Sequence, residues 1–257
     1  MSRTESMMVQ LGTIAPAFEL VDVVTGRAMS RDDQKRAAAE AAVALVQEGM
    51  VVGLGTGSTA AFAIDALARR VSQGLRILGI PTSARSAAQA RDGGIPLTTF
   101  AENRRIALTI DGADEIAMGS LNLIKGLGGA LLREKIVATA SDRLVIVADA
   151  AKLVDQLGTT APVPVEVVRF GWETTADRLT ALGGNPMLRR DSGNHPFRTD
   201  GGNYILDCRF GPIPDPAALE QALSAVVGVV ETGLFIGMAD LALVAGDHGV
   251  QTFRRAN

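Results

Sequence analysis

The sequence predicts an α/β fold in two parts: a Rossmann-like parallel sheet flanked by helices, and a smaller ferredoxin-like α+β unit of order β-α-β-β-α-β. Three observations carry this expectation. Short apolar runs alternate with stretches of helical periodicity through the first half of the chain. Glycine-rich turns lead from strands into helices there. The order of elements then changes past Gly158, where Pro162 and Pro164 mark a linker. Residues 1–30 are expected to be a leader of unknown role. Residues 31–158 with 236–257 form the Rossmann-like domain, and residues 159–235 the ferredoxin-like domain.

Each element follows from local chemistry. Ser30-Arg-Asp-Asp33 matches a capping box with Asp in the place of Glu, so a helix starts there and runs to Val46, with Gly49 as its stop. Met50–Leu54 reads as a short buried strand. The turn Gly55-Thr-Gly-Ser-Thr59 leads into a helix whose apolar face is Ala60, Ile64, Leu67, Ala68 and Val71, ended by Gly74. Leu75–Ile80 is a strand, Ser83–Ala90 a helix, Ile106–Ile110 a strand, Ala130–Thr139 a helix and Leu144–Val147 a strand. In the second unit, Val163–Val168, Met187–Arg190, Tyr204–Phe210 and Val229–Phe235 read as strands. Glu173–Leu182 and a helix capped by Asp215 with Pro216 at its first position lie between them. Leu241–Val244 is expected to return to the first sheet.

Composition narrows the function. Lys plus Arg number 25 against 28 Asp plus Glu, so no basic surface for nucleic acid is implied. Aromatics make up only 4%, too few for a base-stacking platform. The single cysteine, Cys208, cannot form an internal disulfide, and its alternating strand pattern makes it a buried hydrophobe. With only two histidines beside it, no zinc cluster is expected. No apolar run is long enough for a membrane span, and Glu5, Glu19 and Asp22 spoil a targeting peptide, so the expected location is cytoplasmic. Glycine is the outlier, at 28 of 257 residues.

Those glycines cluster with the residues that could carry chemistry. Gly53-Leu-Gly55-Thr-Gly57-Ser-Thr59 lies between a strand and a helix, where amides can face an anion. Counted from Gly55 it passes as a dinucleotide fingerprint, but the ribose-binding acid about 20 residues on is missing, as is a P-loop Gly-Lys pair. A small phosphate or hydroxyl-rich ligand on Thr56, Ser58 and Thr59 is left, with a tight strand–helix turn as the alternative. Thr109-Ile-Asp111-Gly-Ala-Asp114-Glu115 puts carboxylates at the sheet's carboxyl edge, suited to sugar hydroxyls, proton transfer or a divalent metal, or else forming a solvated turn. Lys125-Gly-Leu-Gly128-Gly129 leads into a helix bearing Glu134, and a lysine beside exposed amides suits an oxyanion or phosphate. Glu134 alone reads equally as a surface acid favoured by the helix dipole. Lys152, in Ala148-Asp-Ala-Ala-Lys152, is as readily a solvated lysine as a ligand contact. His195 and His248 lie in turns away from these motifs, so carboxylates must do any proton work.

Taken together, these motifs with Val163-Pro-Val-Glu166 resemble ribose-5-phosphate isomerase of the A type, over roughly residues 32–255. Five motifs in order at this spacing make the resemblance specific. The family's third motif often has Gly or Arg where Leu127 stands, a difference that backbone contacts would survive. The resemblance implies that Thr56, Gly57, Ser58, Thr59, Asp111, Gly112, Ala113, Asp114, Lys125, Gly126, Leu127, Gly128 and Lys152 bind a sugar phosphate. It implies Glu134 as the base moving a proton between C2 and C1, Asp111 as the residue assisting ring opening or proton exchange between oxygens, and Lys125 as the enediolate's cation. It implies no cofactor, no metal, and a homodimer or homotetramer. The alternatives are a sugar-phosphate-sensing regulator, which needs a DNA-binding helix-turn-helix that the short leader cannot supply, and a related enzyme. Amino-sugar-phosphate deaminases need a nearby histidine, CoA transferases lack the Asp-Gly-Ala-Asp turn, and NAD enzymes need the missing acid.

Overall fold

The computed structural model describes residues 29–255. The expected leader, residues 1–30, lies almost wholly outside them.

Helix α1 (Arg31–Val43) begins as the sequence suggests: Ser30 Oγ accepts from Asp33 N–H at 3.2 Å and its hydroxyl donates to Asp33 Oδ2 at 2.6 Å. Its buried face is made of Ala38, Ala39, Ala42 and Val43, small enough for the helix to lie close on the sheet beneath. Strand β1 (Val51–Leu54), helix α2 (Ser58–Ser72), strand β2 (Leu78–Pro81), helix α3 (Ala84–Asp92) and strand β3 (Leu108–Asp111) follow. After β3 come three short pieces, β4 (Glu115–Ala117), β5 (Leu123–Ile124) and helix α4 (Leu131–Thr139). Strand β6 (Leu144–Asp149) is buried at all six positions and passes through a 3-10 turn (Ala150–Lys152) into β7 (Leu153–Val154).

The second unit runs β8 (Val163–Val167), α5 (Trp172–Ala181), β9 (Asn185–Leu188), β10 (Tyr204–Arg209), α6 (Pro216–Ser224) and β11 (Val229–Thr232). Its four strands pair antiparallel in the order β11-β8-β10-β9, the arrangement of a ferredoxin-like βαββαβ unit. The chain then forms β12 (Leu234–Phe235), β13 (Leu241–Gly246) and β14 (Gly249–Arg254).

The large sheet has the order β14-β13-β6-β3-β1-β2 and is parallel except at β14. β1 has β2 on one side and β3 on the other, so consecutive connections diverge between β1 and β3. Open α/β sheets hold ligands at such a switch point, beyond the carboxyl ends of the strands.

Three features differ from the sequence reading. The run Val229–Phe235 is two strands in two sheets. It breaks at Gly233, whose N–H donates to Pro164 O at 2.7 Å and whose carbonyl accepts from Lys125 N–H at 2.9 Å. A small third sheet, β12-β5-β4-β7, lies between the other two and was invisible because its strands are two or three residues long. The Gly249–Arg254 segment adds an antiparallel edge to the large sheet; none of its residues is fully buried, and only Val250 and Phe253 pack on the core, too few for a period to show.

Candidate active site

The carboxyl ends of β1, β3 and β6 open onto one cleft of about 460 Å³, counting its mouth. It is lined by the loops after those strands and by the turn into α4. Helices α2 and α4 both begin without a side-chain cap, at Gly57 and Ala130. Their first N–H groups have no partner in their own helix, and those of α2 beside the cleft mouth suit an anion. The rim is therefore largely peptide: Gly57, Ser58 and Thr59 on one side, Gly126 and Gly128 on the other, with Lys152 and Asp149 beyond.

Beneath the rim lies a buried charge cluster. Lys125 Nζ is 3.0 Å from Asp111 Oδ2 and 3.4 Å from Glu134 Oε2, and it donates to Gly112 O. The three side chains are at most 3% exposed. Asp111 Oδ1 accepts from Thr56 N–H at 3.1 Å and from Gly112 N–H at 2.8 Å. Gly55 permits this approach of β1 to β3, since a Cβ there would fall 2.3 Å from Asp111 Oδ1. Glu134 Oε2 makes no well-formed hydrogen bond, with Lys125 Nζ 3.4 Å away.

One cation faces two carboxylates, so the cluster carries one surplus negative charge away from water. Burial pushes the Asp111 carboxyl above its ordinary value, against the pull of Lys125 and of the two amides. Burial pulls Lys125 down, but Asp111 and then Glu134 more than offset it and hold the ammonium charged. The surplus falls on Glu134: burial first, and the Asp111 charge second, push its carboxyl up to about 8. A carboxyl poised near neutral pH, beside a fixed ammonium, is equipped to take a proton from carbon while the cation receives the developing negative charge.

Of the residues singled out from sequence, Thr56, Gly57, Ser58, Thr59, Gly112, Ala113, Asp114, Lys125, Gly126, Gly128, Glu134 and Lys152 line the cleft. Asp111 and Leu127 do not. Asp111 lies behind Lys125, 1% exposed. Leu127 turns its side chain outward, and its N–H donates to Asp114 Oδ2 at 2.9 Å. Thr56 is engaged internally, its amide on Asp111 and its hydroxyl among Thr82, Ser83 and Ser86 at 2.7–3.0 Å. Glu115, read as part of an acidic turn, points away: its carboxylate accepts from Gly158 N–H, Thr160 N–H, Thr160 Oγ1 and Ala161 N–H. Asp149, which the sequence reading quotes only as part of the Lys152 motif and gives no role, also lines the cleft, at the end of a strand on the same sheet edge as Asp111. His195 is a surface residue, 80% exposed, and no histidine lines the cleft. Cys208 is fully buried, and burial pushes its thiol up to about 12.

Fold and charge arrangement together suit an α/β enzyme that moves protons. Residues 78–249 match the model of the family ribose 5-phosphate isomerase A (phosphoriboisomerase A). A ribose-5-phosphate isomerase A of Synechococcus sp. is 60% identical over 228 residues, covering 88% of this chain and 99% of that one. One from Gloeobacter violaceus is 61% identical over 223 residues, covering 87% and 96%. A D-ribose-5-phosphate isomerase solved in complex with phospho-erythronic acid superposes with a TM-score of 0.86 at 36% identity, covering 88% of this chain and all of that one. The chain belongs to the ribose 5-phosphate isomerase A family.

Proposed function

We propose that this protein interconverts D-ribose 5-phosphate and D-ribulose 5-phosphate through an enediolate, in the non-oxidative pentose phosphate pathway. The observation that carries the reading is Lys125 held between Asp111 and Glu134 on the floor of an amide-rimmed cleft. The sugar phosphate lies with its phosphate among the Gly57–Thr59 amides, the Ser58 and Thr59 hydroxyls and Lys152. The sugar hydroxyls meet the Gly112–Asp114 turn and the Gly126–Gly128 loop.

In the open-chain aldose, the Glu134 carboxylate takes the proton from C2. The electron pair moves to the C1 oxygen, and the Lys125 ammonium stabilises the negative oxygen that results. Glu134 then returns the proton to C1, while a proton passes between the two oxygens and gives the ketose. Phospho-erythronic acid, bound by the related structure, is a sugar-acid phosphate whose carboxylate resembles the enediolate in charge, which supports the enediolate reading. Asp111 was expected to assist ring opening or proton exchange. With Oδ1 on two amides and Oδ2 on Lys125, it acts in this reading through the lysine, as a positioning residue.

The reaction requires no metal, and the enzyme works as a cytoplasmic homodimer or homotetramer, which light scattering on a sizing column checks. A coupled assay of ribose 5-phosphate conversion, with and without EDTA, tests the whole reading. Turnover unaffected by EDTA is expected. No turnover in either condition overturns the function, and loss with EDTA alone overturns the metal-free chemistry. Glu134→Gln is expected to bind ribose 5-phosphate while kcat falls about 10²-fold or more. A near-normal kcat removes Glu134 from the role.

A further inference from the structure

The Gly126–Gly129 loop does not hold itself in place. Gly126 O accepts from Gly129 N–H, but the outward side of the loop is met by the ferredoxin-like unit. Arg189, just past β9, donates from Nη1 to Gly126 O at 2.9 Å and to Leu127 O at 3.1 Å. The same guanidinium is forked onto Asp207 of β10, with Nε 2.9 Å from Oδ2 and Nη2 on Oδ1. Its side chain is 12% exposed. Phe197, joined to Arg189 by its N–H on Arg189 O at 2.9 Å, lays its ring against Gly129, where a Cβ would come within 2.5 Å of the ring. Arg189 Cζ lies 5.8 Å from that ring's centre.

The Gly126 and Leu127 carbonyls point to Arg189, which is not among the residues lining the cleft. On the inner side, Leu127 N–H is taken by Asp114, and Gly128 N–H has no partner among the described residues. We propose that Arg189, locked by Asp207 and backed by Phe197, is a positioning residue for the isomerisation: it holds the Gly126 and Leu127 carbonyls outward so that the loop presents N–H groups, not oxygens, to the anionic ligand. Rotation of either peptide would put a carbonyl dipole against the substrate's negative charge. Nη1 gives its two N–H groups to the two carbonyls while Nε and Nη2 are fixed on Asp207, so the planar guanidinium sets the directions of both bonds; a lysine ammonium cannot hold Asp207 and both carbonyls in that plane. The inference rests on the isomerase reading above.

Kinetics at 25 °C with ribose 5-phosphate test it, with wild type in the same assay. No wild-type turnover defeats the isomerase reading itself; the outcomes below concern the brace alone. Arg189→Met is expected to lower kcat/KM about tenfold to a hundredfold, mostly through KM, as for a displaced binding element. Arg189→Lys should recover less than half of the loss on a logarithmic scale. Arg190→Met is the control; that neighbour donates outward to Asn194 O. A folded Arg189→Met protein with kcat/KM within twofold of wild type overturns the proposal, as does an equal loss in Arg190→Met. A purely structural role would lower Tm and leave KM at 25 °C unchanged, and that result also overturns it. If Arg189→Met does not fold, Asp207→Asn decides, since it keeps the guanidinium and loosens the fork: a KM raised at least threefold supports the brace, and an unchanged KM overturns it.

Discussion

Glu134 carries its carboxyl into a buried site where its inner oxygen, Oε2, has Lys125 Nζ at 3.4 Å and no well-formed hydrogen bond. The cost of that burial shows in two measurements. The base must be ionised to take a proton, so kcat/KM should climb with pH through an apparent pKa of about 8, a value that belongs to the Asp111–Lys125–Glu134 cluster as a whole. A pH–rate profile that is flat from pH 6 to 9 would contradict the assignment. Stability moves the other way. Between the ordinary 4.5 and about 8 the folded protein keeps a proton that the unfolded chain has lost. This group's contribution is therefore full below 4.5 and is lost as pH rises through 8. Glu134→Gln cannot ionise, so at pH 8.5 its Tm should exceed that of wild type by several degrees, at about 2–4 °C per kcal/mol. The difference should shrink toward pH 5, as calorimetry would show.

At the scale of elements, the β1–α2 turn and the end of β3 are built against each other. Gly55 stands where any side chain would strike Asp111, and its N–H donates to Ile110 O at 3.0 Å. Gly55→Ala is expected to push Asp111 aside, loosen Lys125 and lower kcat/KM at least tenfold, with about 1–3 kcal/mol lost from overpacking. Steady-state kinetics and urea unfolding check the two parts separately. Much of this arrangement was legible in the sequence, because glycine-rich turns after apolar runs have a backbone reason to exist. Asp111, Lys125 and Glu134 were marked by their neighbours, but their convergence on one another was not. That Asp111 lies behind Lys125, or that Leu127 gives its amide to Asp114, depends on which way a peptide turns, and residue type does not record it. Strands of two residues such as β5, β7 and β12 have no periodicity to read. The break at Gly233 was hidden because Leu234 and Phe235 continue the apolar run into another sheet.

The whole molecule is tied across its sheets by a few buried polar side chains. Glu115, on the small middle sheet, gathers three backbone N–H groups and a hydroxyl from residues 158–161, the connection into the ferredoxin-like unit. Glu115→Ala leaves those donors unpaired, and urea unfolding should show about 2–4 kcal/mol of lost stability. A value within 0.5 kcal/mol of wild type would mean that the connection holds without it. Lys135 serves a similar end: it reaches from α4 to Glu231 Oε1 at 2.6 Å, and its Nζ lies 5.0 Å from the centre of the Phe235 ring. Lys125 lies 5.4 Å from the same ring. The ferredoxin-like unit thus holds both ends of the segment that carries Glu134, by Arg189 on the loop and by Glu231 on the helix.

A rim made of peptide groups has a consequence for how this protein can vary and how it can be mapped. Recognition by N–H groups makes no demand on residue type beyond the backbone angles, so the exposed Leu127 side chain can stand in this loop without entering the cleft. An alanine scan would register a position such as Gly128 as silent or as misfolded, and would assign most of the affinity to the Ser58 and Thr59 hydroxyls, Lys152 and the buried cluster. Exchange of the Gly128 peptide for an ester, which deletes one N–H and little else, is the change that would weigh the backbone's own share of the ligand.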